Sequence, residues 1–301
     1  MSLVPPSLQA YAERGPEWAD WLDRLPGLVR DLLAEWELSP DGAATHGRTA
    51  LVLPVRTAEA EDAVLKVGWP HWEAEHEALA LQRWGGRGAV RLLRADPRRW
   101  ALLLDRLRSG DLTELWDVEA CEIVAGLYAD LHVPAPPQLR RLSTQAARWA
   151  EELSRIGRGA PVPPRLVVQA AGLCRELARD PATDGILIHT DLHYENVLAA
   201  GDAPAPGGWL AIDPKPLSGD PHYELAPMLW NRYAEYAGRL RDGVRDRFFA
   251  LVDTAGLDED RARAWVVVRM LVNIKEEVLE SAAPDRDRIT ACVAVAKAVQ
   301  D

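Results

Sequence analysis

The segment His189-Thr190-Asp191-Leu192-His193-Tyr194-Glu195-Asn196 has the form HxDxxxxN, and the apolar run NVLAA begins on its last residue. A Gly- and Pro-rich turn, GDAPAPGG, leads to a second run, WLAID, which ends on Asp213. Phosphoryl transfer to a hydroxyl needs one carboxylate beside the attacking oxygen, and oxygen ligands for Mg²⁺ to neutralise the phosphate charge. The segment supplies all three. Asp191 would accept or orient the acceptor hydroxyl, while Asn196 and Asp213, brought together by an antiparallel hairpin, would hold the metal. HxDxxxxN alone recurs by chance, so the weight lies on its setting between short strands and on the Asp that ends the second one. The competing reading makes Asp191 and Asn196 turn residues that satisfy local backbone groups. His189 precedes the base by two positions and is expected to orient the loop through hydrogen bonds, not to bind metal.

Upstream, Lys66 stands in the apolar run AVLKVG, where an unpaired buried ammonium would be expensive. It needs an anionic partner. In a kinase the partners are the α- and β-phosphates of the nucleotide and a glutamate from the next helix. Glu77 in EHEALAL is the first choice for that glutamate and Glu73 the second. An edge-strand lysine pointing to solvent is the plainer reading.

Strands must position Lys66. TALVLPV and AVLKVG, separated by the polar stretch RTAEAED, read as paired strands, and VRLLRAD and WALLLDRL as two more around DPRR. Between these pairs Glu73 to Trp84 reads as a helix ended by Gly85, Gly86 and Gly88. Before them, Trp18, Trp21, Leu22, Leu25, Leu28, Leu32, Leu33 and Trp36 form one helical stripe, which Pro26 is expected to split into two helices. After residues 105 to 110, taken as a hinge, the texture becomes helical over 118–131, near 145–156 and over 165–179. ILIH, NVLAA and WLAID are the exceptions, and three or four helices follow from Tyr223 to Gln300. Strands followed by helices predict an α+β chain. It divides into an N-terminal lobe over 1–107, whose helical extension covers 1–38, and a C-terminal lobe over 108–301.

The chain has 301 residues with 35 basic against 46 acidic side chains, a formal charge of −11. Such a balance disfavours a nucleic-acid partner, which needs a basic face, and favours a cationic ligand. Cys121, Cys174 and Cys292 are too few and too scattered for a disulfide framework or a zinc site, which suggests a cytoplasmic setting. No basic n-region precedes an apolar h-region, and no apolar run approaches the roughly 20 residues that span a bilayer, so no membrane partner is expected, nor an obligate protein partner. For a small-molecule acceptor, Glu276 with Glu280 on one helical face and Glu277 beside it could attract an ammonium or guanidinium, a solvated helix surface being the alternative. Trp230 and Trp265 either line the same place or fill the core. In Gly219-Asp220-Pro221-His222-Tyr223-Glu224, Asp220 is expected to cap the next helix or brace the catalytic loop, with acceptor contact the alternative for Asp220 and for Glu224.

VLKVG, HTDLHYENVL and IDPKPLSGDPHYELAPMLWNR together resemble the aminoglycoside and hydroxyurea phosphotransferases, particularly the streptomycin 6-kinase branch, over about Gly42 to Trp230. The resemblance implies a bilobal protein-kinase-like fold, with an antiparallel sheet in the small lobe and a mainly helical large lobe. It also implies ATP or GTP with Mg²⁺ as cofactors. Asp191 is then the catalytic aspartate, Asn196 and Asp213 bind Mg²⁺, Lys66 contacts the phosphates, and Asp105, Arg106 and Leu107 offer backbone groups to the base of the nucleotide. The implied activity is ATP-dependent O-phosphorylation of a small cationic or polyhydroxylated molecule, an aminoglycoside such as streptomycin foremost. A metabolic kinase of amino sugars or amino alcohols is the alternative, and a pseudokinase module would lack some of these residues. The chain departs from protein kinases in having only Gly42 and Gly47 where they carry GxGxxG, Asp213-Pro214-Lys215 where they carry Asp-Phe-Gly, and His193 where they usually carry Lys.

Overall fold

A computed structural model describes residues 3–201, 208–236, 238–281 and 283–300. The chain resolves into two compact units, residues 1–108 and 109–301. The widened turn expected at GDAPAPGG lies, for residues 202–207, outside the described residues. Among the described residues no helix is long and apolar enough to cross a membrane.

The first unit begins with α1 (Pro6–Gln9) and α2 (Pro16–Glu35) and continues through β1 (Ser39–Pro40), β2 (Thr45–His46), β3 (Ala50–Arg56) and β4 (Asp62–Gly68). After α3 (Glu77–Trp84) come β5 (Leu92–Asp96) and β6 (Ala101–Asp105). The strands form one sheet in the order β1-β3-β4-β6-β5, with β2 also paired to β3 and every pairing antiparallel. Alternation along the strands assigns the two faces. Leu51, Leu53, Val55, Ala63, Leu65, Val67, Ala101 and Leu103 are buried against Trp21, Leu22, Leu25, Val29 and Leu32 of α2. Lys66, at the even position of β4 opposite Val52 and Leu102, therefore projects from the other face.

Two expectations need correction here. Pro26 does not divide α2, which is one helix of 20 residues with the proline inside it. A proline removes one hydrogen bond and crowds the preceding turn. The buried stripe runs unbroken across it from Trp21 to Leu32, and that packing outweighs the local loss. The helix expected from Glu73 starts only at Glu77, with turns before it, so Glu73 lies outside the helix. The short strands β1 and β2 carry no apolar alternation, and nothing in their sequence announces them.

The second unit contains α4 (Asp117–Leu131), α5 (Leu142–Leu153), α6 (Pro164–Leu177), β7 (Ile186–Ile188), β8 (Val197–Ala199), β9 (Trp209–Ala211) and β10 (Leu217–Gly219). It closes with α7 (Ala226–Trp230), α8 (Leu240–Ala255), α9 (Glu259–Leu279) and α10 (Arg286–Ala298). Residues Trp265 to Val268 and Met270 to Lys275 of α9 are all buried, which makes it a core helix covered on every side. It packs on α5, α6, α7 and α10. β8 and β9 form the expected antiparallel hairpin, Val197 opposite Ala211. β10, which the sequence reading omits, pairs with β7. Gly219 permits that pairing, because a Cβ there would collide with the Ile188 side chain at the entrance to the catalytic segment.

Candidate active site

In the first unit the Lys66 ammonium lies 2.6 Å from Glu77 Oε1, and both side chains are largely buried. The strand sets the face of Lys66, and α3 brings Glu77 to it in its first turn, where a carboxylate also favours the helix dipole. Asp105, Arg106 and Leu107 follow at the end of β6. The Asp105 amide donates to the Arg91 carbonyl at 3.0 Å, and its carboxylate takes two hydrogen bonds from Arg91. The Arg106 guanidinium bonds Asp41, at 2.7 Å, and Asp62. These side chains are committed within the sheet, so any contact with a nucleotide base falls to the main chain, and the Asp105 N–H is already used.

In the second unit the catalytic segment leaves β7 and is held from several directions. His189 is fully buried, and burial holds its imidazole below the usual range despite the nearby Glu224 and Asp191. The ring is therefore neutral. It donates from Nε2 to the Ile212 carbonyl at 2.9 Å and accepts at Nδ1 from the Asp191 amide at 3.3 Å. One ring thus ties the loop to the residue before Asp213.

Thr190 adopts a left-handed conformation, φ 66°, which a β-branched residue rarely tolerates. Its N–H donates to Glu224 Oε1 at 2.7 Å, its hydroxyl to the Lys215 carbonyl at 2.7 Å, and its own carbonyl accepts from Arg269 at 3.4 Å. Glu224 is wholly inaccessible, with His132 Nε2 3.8 Å from its second oxygen. This corrects the expectation that Glu224 contacts an acceptor, since its carboxylate faces the underside of the catalytic loop. For Asp220 it is the alternative, acceptor contact, that is corrected. It is buried, caps the turn Pro221–Leu225 through the His222 amide, and accepts from Trp265 Nε1 at 2.6 Å and from Arg261. Burial pushes the Asp220 carboxyl up, but the His222 and Trp265 donors outweigh it and hold it below the usual range. Trp265 accordingly belongs to the core.

Asn196 turns its amide nitrogen back onto the Asp191 carbonyl at 2.8 Å, so a metal ion there could be met by its amide oxygen. Asp213 follows β9 at φ 56°, a left-handed conformation that aspartate accepts more readily than threonine does. The Lys215 ammonium lies 2.8 Å from Asp213 Oδ2 and 3.4 Å from Asp191 Oδ2. The structure thus gathers Asp191, Asn196 and Asp213, with a cation marking the point where positive charge is favoured. Oxygen ligands of this kind suit Mg²⁺. Two protein ligands are fewer than the roughly six it takes, so phosphate and water oxygens would complete the shell.

The expected acceptor acids fare unequally. Glu277 is engaged by Arg288 at 2.8 Å and by the Asp285 amide at 3.1 Å, so its carboxylate serves the junction of α9 with α10; this is a further correction. Glu280 pairs with Lys275 at 2.7 Å. Glu276 is half-buried, and burial raises its carboxyl above the usual range, with Arg269 the principal opposing charge. Arg269 lies seven residues before Glu276, hence on the same face of α9, and its guanidinium sits 5.4 Å from the Trp230 ring centre. Sequence reasoning missed Thr190, Lys215 and Arg269. Only Lys215 left a signal, as an unexplained lysine two residues after Asp213.

Residues 35–274 match the model of the aminoglycoside/hydroxyurea antibiotic resistance kinase family. The chain is 40% identical to streptomycin 6-kinase of Streptomyces glaucescens over 300 residues, covering 96% of this chain and 95% of that protein. It is 41% identical to hydroxyurea phosphotransferase of Kitasatospora aureofaciens over 293 residues, covering 94% and 83% respectively. Among solved structures, the macrolide 2'-phosphotransferase of Brachybacterium faecium superposes with a TM-score of 0.57 at 17% identity, over 91% of this chain and 97% of that one. That likeness carries the fold, and the family match carries the chemistry the loop is built for: the chain belongs to the aminoglycoside/hydroxyurea antibiotic resistance kinases and is a phosphotransferase with a protein-kinase-like α+β fold.

Proposed function

We propose that the chain transfers the γ-phosphoryl group of ATP, or of GTP as the alternative donor, to a hydroxyl of an aminoglycoside of the streptomycin type. The observation that carries this reading is the convergence of Asp191, Asn196 and Asp213 around one buried-side loop, with Lys215 between the two carboxylates. Asp191 takes the proton of the acceptor hydroxyl as its oxygen bonds to phosphorus. The bond from phosphorus to the β,γ-bridging oxygen breaks, and the nucleoside diphosphate leaves. Mg²⁺ held by Asn196 and Asp213 would neutralise charge on the phosphates. Lys66, oriented by Glu77, would hold the α- and β-phosphates, and the main chain of 105–107 would meet the base.

Two features favour a cationic acceptor over neutral hydroxyurea, namely the net charge of −11 and the half-buried Glu276, which has no ion-pair partner among the described residues and shares the face of α9 whose Arg269 reaches the catalytic loop. The proposed setting is cytoplasmic. The test is a mass-shift screen of the purified protein with ATP and Mg²⁺ against streptomycin, hydroxyurea and common amino sugars. Asp191→Ala serves as control, and calorimetry follows its nucleotide binding. Phosphorylated streptomycin from the parent, none from the variant and retained nucleotide binding are expected. Transfer by Asp191→Ala at the parental rate would remove Asp191 from the chemistry, and exclusive phosphorylation of a neutral acceptor would remove the aminoglycoside.

A further inference from the structure

Lys215 is placed by its main chain and not by chance rotation of a surface side chain. Its N–H donates to the His189 carbonyl at 2.9 Å, and its carbonyl accepts from Thr190 Oγ1 at 2.7 Å, so the strand leaving Asp213 is stitched to the catalytic loop on both sides of the residue. Pro214 fixes φ between the left-handed Asp213 and Lys215. The side chain is only 16% exposed, and its ammonium touches both Asp213 and Asp191. Two buried cations among the described residues of this unit, Arg247 and Lys275, are used differently. Arg247 pairs with Asp117, and Lys275 with Glu152 and Glu280, none of which belongs to the site.

We infer that Lys215 is a further catalytic residue, whose ammonium, held between Asp191 and Asp213, also donates to the transferring phosphoryl group. The inference rests on the proposed roles of Asp191 and Asp213. Two carboxylates close to one nitrogen repel one another, and the ammonium offsets that repulsion. Were an Asp213 oxygen to ligate the metal, the ammonium would keep Asp191 as its partner. The reacting phosphorus must lie between the metal ligands and the acceptor hydroxyl, within reach of a flexible four-carbon stem with three donors. There Lys215 donates to a non-bridging γ-oxygen. It gives up no proton, since the hydroxyl proton goes to Asp191 and the leaving group is the diphosphate. Its contribution is positive charge where negative charge moves.

The test compares Lys215→Met and Lys215→Arg with Asp191→Ala and Asp213→Ala. Lys215→Met is expected to lose about 10²–10³-fold in kcat with both KM values within about threefold of the parent, the pattern of an interaction made in the transition state. Mn²⁺ binding to the nucleotide-free protein, read by electron paramagnetic resonance and independent of turnover, should tighten by about fivefold in Lys215→Met, because a competing cation has gone. Lys215→Arg, which keeps the charge, should recover part of kcat and covers the case in which the Met variant fails to fold. A folded Lys215→Met with kcat within about threefold of the parent, or with unchanged or weaker Mn²⁺ binding, would overturn the proposal. So would an Arg variant no more active than the Met variant. Parental activity in Asp191→Ala or Asp213→Ala would instead bring down the reading beneath it.

Discussion

The two units hold their functional residues by different means. In the first, Lys66 is aimed by strand alternation and matched by one glutamate eleven residues later, and a helix-on-sheet core of apolar side chains does the rest. In the second, the catalytic loop has little regular structure of its own and is fixed by hydrogen bonds to Ile212, Lys215 and Glu224 and by one from Arg269, residues that lie 23 to 79 positions away in sequence. A strand can present one charge cheaply, because its backbone is already satisfied by its neighbours. A loop proposed to place a base and two metal ligands, with Thr190 and Asp213 left-handed, needs its backbone groups satisfied from elsewhere. The difference teaches that substitutions in the first unit should act through ground-state nucleotide binding, and those around the loop through turnover.

The sharpest break should come from Asp213→Ala. Loss of a metal carboxylate is expected to lower kcat by about 10²–10³-fold and to raise the Mg²⁺ concentration needed for half activity. Asn196→Ala should do the same more mildly, an amide carrying no net charge, so equal small effects in a Mg²⁺ titration would sink the hairpin metal site. Next comes Glu224→Ala, which leaves the buried Thr190 N–H without its acceptor. We expect a stability loss of about 1–3 kcal/mol by denaturant titration, and a lower kcat at little-changed KM. A destabilised variant with parental kcat would show that the loop keeps its shape without this brace. In the first unit, Glu77→Gln should instead raise the nucleotide KM by about tenfold and spare kcat, the signature of uniform binding. A selective fall in kcat would erase the contrast between the units.

The smallest expected effect is at Glu276. Burial raises its carboxyl in the folded protein, so the fold favours the protonated acid; that stability is present at low pH and is lost as pH rises through the raised folded value. Glu276→Gln should therefore melt slightly higher than the parent near pH 7 while binding a cationic acceptor several-fold more weakly. In the parent, acceptor KM should rise as pH falls through the raised value and the carboxylate becomes neutral, and this rise should vanish in the Gln variant. A pH profile identical in both proteins would return Glu276 to the ordinary helix surface.

Much of the first unit was legible because alternation and helical stripes are local patterns. They placed β3, β4, β5 and β6 and the α2 stripe, and they singled out Lys66 and Glu77. Pro26 misled because a local rule against proline inside a helix lost to the packing of Trp21, Leu25, Val29 and Leu32 on the sheet. In the second unit the spacing of Asp191, Asn196 and Asp213 identified the loop and hairpin. The same reading left acceptor contact open as an alternative for Asp220 and Glu224 and offered Glu277 to an acceptor, since a carboxylate in a motif-rich segment does not announce whether it faces solvent or a backbone N–H.

By itself, the sequence determined the residue types the chemistry needs and the order in which they occur, because these follow from short-range spacing and the periods of strand and helix. Only the tertiary structure decided which acids are consumed inside the protein and which cation meets the catalytic carboxylates. Lys215 and Arg269 reach the loop through contacts that join distant parts of the chain. Whether Glu276 or Glu277 keeps an uncommitted charge depends on where α10 docks. Burial and partner choice are properties of the packed chain, and no local pattern encodes them.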